Sequence, residues 1–201
     1  MLVDPHTYGS LFYMLLAMAT GTFYFTWVVT GLSLSLGLAI LIIGIPFFIL
    51  FIGATRILAL VEGRLVEVML GERMPRRPLY AERGLPLLTR IGRMFTDPRT
   101  WSTMLYMLLM LPLGVAYFTA AVTLLSVSLA FIAAPFGYFF ASGNYGMILG
   151  DYNVVANAPW VLPLLSVAGV VLLFATLHLA RGIGKLHGLL AKHLLVRSAV
   201  V

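Results

Sequence analysis

The sequence predicts an all-α membrane protein with four transmembrane helices, and three observations support this fold class. Hydrophobic residues make up 61% of the chain and charged residues 10%, whereas soluble domains have roughly 45–50% and about 25%. No Lys, Arg, Asp or Glu occurs between Asp4 and Arg56, and Asp151 is the only such residue between Arg99 and Arg181. Because one span needs about 20 apolar residues, each charge-poor window holds two crossings.

The chain also contains an internal repeat. Asp4-Pro5 aligns with Asp97-Pro98 at a shift of 93 residues, and about half of the positions from 4 to 36 are then identical. The matched pairs include Tyr13/Tyr106, Gly21/Gly114 and Tyr24/Tyr117. At a shift of 125 residues, 54–71 resembles 179–196. Apolar composition alone would not keep tyrosines and glycines in step, so the sequence indicates a duplication.

The repeat predicts two tandem helical hairpins in a single integral membrane domain, 1–201. Repeat 1 covers about 4–71, with spans 11–33 and 36–58 and a tight link around Ser33–Gly37. A cytoplasmic link covers 72–96. Repeat 2 covers about 97–196, with spans 103–128 and 160–181 and an extracytoplasmic insertion at about 129–159. Residues 129–142 either extend the third span or re-enter the membrane. Both hairpins begin on the same side, so the sequence predicts a four-helix bundle with a pseudo-two-fold axis along the membrane normal.

Each repeat starts with a helix-initiation signal. Asp is a good N-cap, and Pro is favoured at the next position, so Asp4-Pro5 and Asp97-Pro98 are expected to begin helices. Pro46 and Pro112 lie inside predicted spans and are expected to kink them.

The positive charges predict the topology. All thirteen Lys and Arg residues lie in 56–99 or 181–197, and positive residues accumulate on the cytoplasmic side, so both termini are expected there. Residues 56–72 and 87–95 are predicted to be interfacial amphipathic helices with Arg and Glu on the polar face. Anionic lipid head groups are a better partner for this charge than nucleic acid. The candidates for lipid contact or for coupling to a partner are Arg76, Arg77, Arg90, Arg93, Arg181 and Lys185.

The stretches DPRTWSTMLYMLLMLPLGVAYF and LARGIGKLHGLLAKHLL resemble the sensor module of bacterial membrane proteins that often precedes histidine kinases. The resemblance covers nearly the whole chain and implies a sensor in the bacterial cytoplasmic (inner) membrane. No phosphoacceptor or ATP-binding domain occurs before Val201, so the output is expected to pass through a partner. That partner would be a histidine kinase or an ABC transporter subunit, with a homo-oligomer as the alternative.

Hydroxyl residues recur on one face of the first and third spans. Their spacing of i, i+4 and i+7 places each set on one side of a helix. They are either packing residues, bonded to backbone carbonyls or across helices, or an intramembrane polar seam for a ligand, lipid or ion. The six residues are Thr26, Thr30, Ser33, Thr119, Thr123 and Ser126.

The outer loop, residues 142–160, is the least membrane-like part of the chain, because its Gly, Asn and Asp residues favour turns. It is either a plain connector or a docking surface for a ligand or partner. In the second case Tyr145, Asp151, Tyr152 and Trp160 are the candidate contacts.

The sequence offers no set of residues typical of an enzyme. There are no cysteines, and no acid, base, nucleophile and metal ligands converge, so we expect no catalysis, no metal and no cofactor. His178, His187 and His193 could form a haem site or a pH switch, or could be interfacial residues without a role. The predicted function is a non-enzymatic membrane sensor or accessory subunit. The alternative is a small transporter or channel component with a Thr/Ser-lined path, although transport usually requires an ionisable group deep in a span.

Overall fold

The computed structural model describes residues 5–40, 43–72, 92, 96–140, 148–149, 152–153 and 158–196. Within these residues there are four long helices. They are α1 (Pro5–Ala39), α2 (Gly44–Leu70), α3 (Pro98–Phe140) and α4 (Val161–Val196). A pair of two-residue antiparallel strands, β1 (Ile148–Leu149) and β2 (Tyr152–Asn153), lies between α3 and α4 in the chain.

All four helices are long and apolar enough to cross a membrane, so the prediction of an all-α protein with four transmembrane helices is confirmed. A helix of n residues is about 1.5n Å long, so each exceeds the roughly 30 Å hydrocarbon core of a bilayer. The chain is a multi-pass membrane protein.

The predicted start of α3 is also confirmed. The helix begins at Pro98, and a carboxylate oxygen of Asp97, Oδ1, accepts the backbone N–H of Arg99 at 3.0 Å. The other oxygen, Oδ2, accepts from Arg56 of α2 at 3.1 Å, and the same guanidinium nitrogen donates to Thr100 Oγ1 at 3.1 Å. Asp97 therefore caps one helix and fastens it to another.

The helices extend beyond the predicted spans. The link expected around Ser33–Gly37 is wrong, because α1 stays helical to Ala39, with Ser35 Oγ bonded to the carbonyl of Gly31 at 2.6 Å. Pro46 falls in the first turn of α2, where a proline removes no helical hydrogen bond. Residues 129–140 continue α3 as a helix. The predicted helix 87–95 lies outside the described residues, apart from Gly92.

The expected interfacial helix at 56–72 is the second half of α2. It ends where Gly71 takes a left-handed conformation (φ 74°) and its N–H bonds to the carbonyl of Glu67 at 3.2 Å, as glycine C-caps commonly do. Arg and Glu residues were predicted to lie on its polar face, but Glu62 is fully buried.

The chain divides into two compact units. The first comprises Met1–Phe118 and Arg181–Val201, and the second comprises Thr119–Ala180. In the first unit α1 and α2 are antiparallel, since Gly9 lies against Met69 and Gly31 against Phe51. In the second unit Gly169 of α4 packs on the backbone of α3 at Ser128 and Ile132.

Buried positions recur at the two shifts of the repeat. Both residues are buried in each of the repeat-related pairs Tyr13/Tyr106, Met14/Met107, Ser35/Ser128, Ile52/Leu177, Thr55/Ala180, Glu62/His187, Val66/Ala191 and Leu70/Leu195. A two-fold relation between the repeats would produce this pattern. That relation stays a prediction.

Candidate functional site

Glu62 is in the core because it lies on the apolar face of α2. The buried residues on this part of the helix are Thr55, Ala59, Glu62, Val66 and Leu70, spaced by three or four residues, which is one side of an α-helix. A carboxylate among such neighbours has lost its water, and burial of a charged group is costly unless hydrogen bonds compensate for it. The partners of Glu62 therefore matter.

His187 occupies the corresponding face of α4. It is 1% exposed and shares its helix face with Gly184, Ala191 and Leu195, which are also buried. Two of these three neighbours are small. His187 was predicted to be either part of a haem site or pH switch or an interfacial residue without a role, and the structure shows that its ring is enclosed by protein.

Four tyrosines from two other helices surround these groups. Tyr13 and Tyr24 come from α1, and Tyr106 and Tyr117 come from α3. Both pairs are eleven residues apart in the sequence, about three helical turns, so each pair projects from one face of its helix. Tyr13, Tyr24 and Tyr106 are buried and Tyr117 is half-buried.

The carboxylate of Glu62 accepts three tyrosine hydroxyls. Oε1 accepts from Tyr13 at 2.6 Å and from Tyr106 at 3.0 Å, and Oε2 accepts from Tyr24 at 2.9 Å. Hydrogen bonds to an ionised acceptor are stronger than neutral ones, and three of them suit a carboxylate, which accepts only. Glu62 joins α2 to both α1 and α3.

The imidazole of His187 meets the same hydroxyls from the other side. Nε2 lies 2.7 Å from Tyr13 Oη and 3.0 Å from Tyr106 Oη. Each tyrosine has one hydroxyl proton, and both protons point to Glu62, so the network is satisfied when Nε2 carries a hydrogen and donates it to these oxygens. Tyr13 and Tyr106 thus bridge the carboxylate and the imidazole.

The second ring nitrogen has a weaker partner. Nδ1 of His187 lies 3.5 Å from Tyr117 Oη, at the long limit of a hydrogen bond. The two rings meet edge to face, with centroids 5.6 Å apart and an interplanar angle of 87°. The ring centroid of Tyr13 lies 5.0 Å from that of His187. We call these six residues, Tyr13, Tyr24, Glu62, Tyr106, Tyr117 and His187, the buried polar cluster.

The tyrosines can meet because α1 and α3 approach at glycines. A Cβ on Gly21 would collide with the backbone of Met110, and a Cβ on Gly114 would collide with the backbone of Ala17. The contact is reciprocal, since Gly21 and Gly114 are repeat partners, as are Ala17 and Met110. Small residues allow this close backbone approach between membrane helices.

The buried polar cluster consists of three repeat-related pairs. Tyr13/Tyr106 and Tyr24/Tyr117 match at the shift of 93, and Glu62/His187 match at the shift of 125. Sequence reasoning aligned both segments but did not combine them, and so missed the site. The signal was present, because Glu62/His187 is the only pair of titratable residues that the shift of 125 aligns within 59–66. The shift of 93 likewise aligns two pairs of tyrosines with the same spacing of eleven residues.

None of the residues of the predicted hydroxyl seam belongs to this cluster. Its six residues, Thr26, Thr30, Ser33, Thr119, Thr123 and Ser126, are all exposed on the surface of the chain. Thr26 and Thr30 border a shallow groove of about 410 Å³ between α1 and α2, lined mainly by apolar residues that include Phe47. Binding of a ligand, lipid or ion by the seam stays a prediction.

The predicted docking and coupling residues are partly described. Trp160 precedes α4 and is 68% exposed, and Tyr152 is in β2, where it pairs with Leu149. Arg181 is half-buried and Lys185 exposed on α4. Six further residues lie outside the described part of the chain, and they are Arg76, Arg77, Arg90, Arg93, Tyr145 and Asp151.

Comparison with known protein families gives a match over most of the chain. The model of a protein family described as "Putative sensor" matches residues 13–195, a range that contains the whole buried polar cluster. No curated protein matches the chain, and no solved structure does.

Proposed function

We propose that this chain, which belongs to the "Putative sensor" family, is a non-enzymatic membrane sensor or accessory subunit that passes a signal from the outer face or the bilayer to a membrane-bound partner. Family membership supports a sensor role. The observation that carries the mechanism is the buried polar cluster, in which hydroxyl, carboxylate and imidazole groups from all four helices meet within one unit of the fold.

Such a cluster is suited to transmit helix movement. Buried polar networks depend steeply on geometry, because an unsatisfied group in a low-dielectric interior is costly. A shift of α1 relative to α3 would break bonds from Tyr13 or Tyr106 and force the remaining groups to find another arrangement. A sensor needs an element with two arrangements whose balance a stimulus changes.

The long helices provide the physical connection to the outer loop. α3 carries Tyr106 and Tyr117 and continues to Phe140, and α4 runs from Val161 to His187 and beyond. A ligand that moves the loop would therefore act on helices that also hold the cluster. We propose that Trp160, Asp151, Tyr145 and Tyr152 belong to that outer surface.

The kind of partner is proposed from the basic residues at the predicted cytoplasmic side. Arg181 and Lys185 follow the apolar part of α4, and with Arg76, Arg77, Arg90 and Arg93 they would contact anionic head groups or a partner such as a histidine kinase or an ABC transporter subunit. We propose that both termini lie in the cytoplasm of a bacterial cell.

A second candidate, transport, gains support from one observation. Glu62 and His187 are ionisable residues beyond the predicted spans, yet both are buried inside long apolar helices, and both lie within hydrogen-bond distance of Tyr13 of α1. Buried ionisable groups of this kind often mark proton or ion pathways.

Affinity purification separates the two functions. We expect a tagged chain, extracted from its native membranes in mild detergent, to recover one membrane protein in stoichiometric amount. The variant Trp160→Ala should recover at least several-fold less if the outer surface controls the complex. Val167→Ala, which changes another exposed side chain of α4, is the matched control. Equal recovery by all variants, or solute flux by the purified chain alone in liposomes, would contradict the sensor assignment.

A further inference from the structure

No salt bridge among the described residues balances the charge that the buried polar cluster carries when Glu62 is ionised. All three hydrogen bonds to Glu62 come from tyrosines, and neither salt bridge among the described residues involves it. A buried ion without a counter-ion is expensive even when it is hydrogen-bonded. One more proton within the cluster would remove this net charge.

Apart from the carboxylate itself, the geometry offers one place for that proton. The hydrogens of Tyr13, Tyr24 and Tyr106 are directed to the carboxylate, and the hydrogen of Nε2 is directed to the bridging tyrosine oxygens. Nδ1 of His187 is the remaining ring nitrogen, and its hydrogen-bond partner, Tyr117 Oη, is 3.5 Å away. A neutral imidazole accepts a proton there and becomes a double donor.

We propose that the buried polar cluster is a proton-binding site, in which Nδ1 of His187 takes up one proton from water and Glu62 is the counter-ion across Tyr13 and Tyr106. The proposal rests on the proposed function, because it makes the proton the stimulus or co-stimulus of the sensor. No other reactant is needed, since one N–H bond forms and the proton leaves a hydronium ion.

Proton uptake would change the structure at one contact. The new N–H must donate to Tyr117 Oη, which accepts through its oxygen and turns its own hydrogen away. Charge-assisted N–H···O bonds are about 2.7–2.9 Å long, so the present 3.5 Å separation would shorten and draw α3 and α4 together. Tyr117 is the half-buried member of the cluster.

Among the described residues, the titratable groups bonded within the cluster around His187 are Tyr13 and Tyr24 from α1, Glu62 from α2, and Tyr106 and Tyr117 from α3. Glu72, which follows α2, lies against Gly188, the residue after His187. His178 and His193 share α4 with His187 but are exposed. They provide controls on the same helix.

Nitrogen NMR tests the proposal directly. Chains with 15N-labelled histidine rings are placed in lipid nanodiscs and compared from about pH 8 to about pH 5, the range in which histidines change charge. We expect the native His187 ring to pass from the Nε2–H form to the imidazolium. In Glu62→Gln the ring should stay neutral over the same range, whereas His193→Gln should leave the His187 transition unchanged.

A distance measurement provides the second readout. The chain has no cysteine, so Val115→Cys and Leu186→Cys, both at exposed positions, place spin labels on α3 and α4. The label distance should shorten on acidification in the otherwise native chain and stay constant with Glu62→Gln. Tyr117→Phe replaces Glu62→Gln if the latter does not fold, and should abolish the shortening because the acceptor oxygen is gone.

Two results would overturn the proton site, namely a native His187 that stays neutral throughout, or a Glu62→Gln ring that titrates as the native one does. Both measurements use the chain without a partner. If His187 stays neutral in a chain that still recovers its partner, the proton site is refuted and the sensor assignment is not. Failure to recover a partner with a normal His187 transition refutes the sensor assignment and leaves the proton site intact.

Discussion

Glu62→Ala is expected to lower the free energy of unfolding by about 3–5 kcal/mol. The substitution removes the acceptor of three buried tyrosine hydroxyls and leaves a void where the carboxylate was. Buried donors without acceptors each cost about 1–3 kcal/mol. Denaturant unfolding in mixed micelles, followed by circular dichroism, measures the change.

Two controls separate the cluster from a general effect of losing a glutamate. Glu67 is on the same helix and forms an ion pair at 3.1 Å with Arg64, which is largely exposed, so Glu67→Ala should cost no more than about 1 kcal/mol. Glu62→Gln keeps an acceptor oxygen and should cost less than Glu62→Ala. If Glu62→Ala and Glu67→Ala have the same effect, Glu62 does not hold the helices together.

Gly21→Ala and Gly114→Ala are each expected to destabilise the fold by about 1–3 kcal/mol, the usual cost of overpacking. The added Cβ meets backbone atoms of the opposite helix at Met110 or Ala17, and backbone cannot rotate away as a side chain can. The helices must separate, and the bonds made by Tyr13 and Tyr106 must stretch. Gly21→Leu should be more severe. Thermal unfolding of the variants tests this result.

The matched control is Gly53→Ala. Gly53 is inside α2 and has open space around its missing Cβ. Alanine is favoured over glycine in a helix interior by about 0.8–1.0 kcal/mol, so this variant should be neutral or more stable. A uniform loss at all three glycines would mean that backbone flexibility, rather than the α1–α3 contact, explains the effect.

The fold was accessible from the sequence where its signals are local or periodic. Charge-poor windows predicted four helices, and Asp97-Pro98 predicted the start of α3. The second and fourth spans were predicted too short. Hydropathy falls where charged residues begin, at Arg56 and Arg181, whereas the helices continue to Leu70 and Val196. Hydropathy cannot tell that Glu62 is buried when its hydrogen-bond partners come from distant parts of the chain.

The candidate site was missed for a related reason. The polar seam attracted attention because hydroxyls within a span stand out, yet Thr26 and Thr119 are exposed. Tyrosines were counted as apolar, although a buried tyrosine needs a partner for its hydroxyl. Combining the two repeat alignments would have placed Glu62, His187 and the four tyrosines on equivalent faces. The bridging role of Tyr13 and Tyr106 required the structure.

The central claim is that Glu62 and His187 occupy equivalent positions of the two repeats and are joined through the tyrosines. Exchanging them tests it most directly. Glu62→His removes the carboxylate and His187→Glu places two carboxylates in one core, so each single variant should lose about 2–4 kcal/mol. The double variant, with the two residues exchanged, should regain more than half of the summed loss. The claim would be contradicted if the loss of the double variant equalled the sum of the two single losses to within about 0.5 kcal/mol.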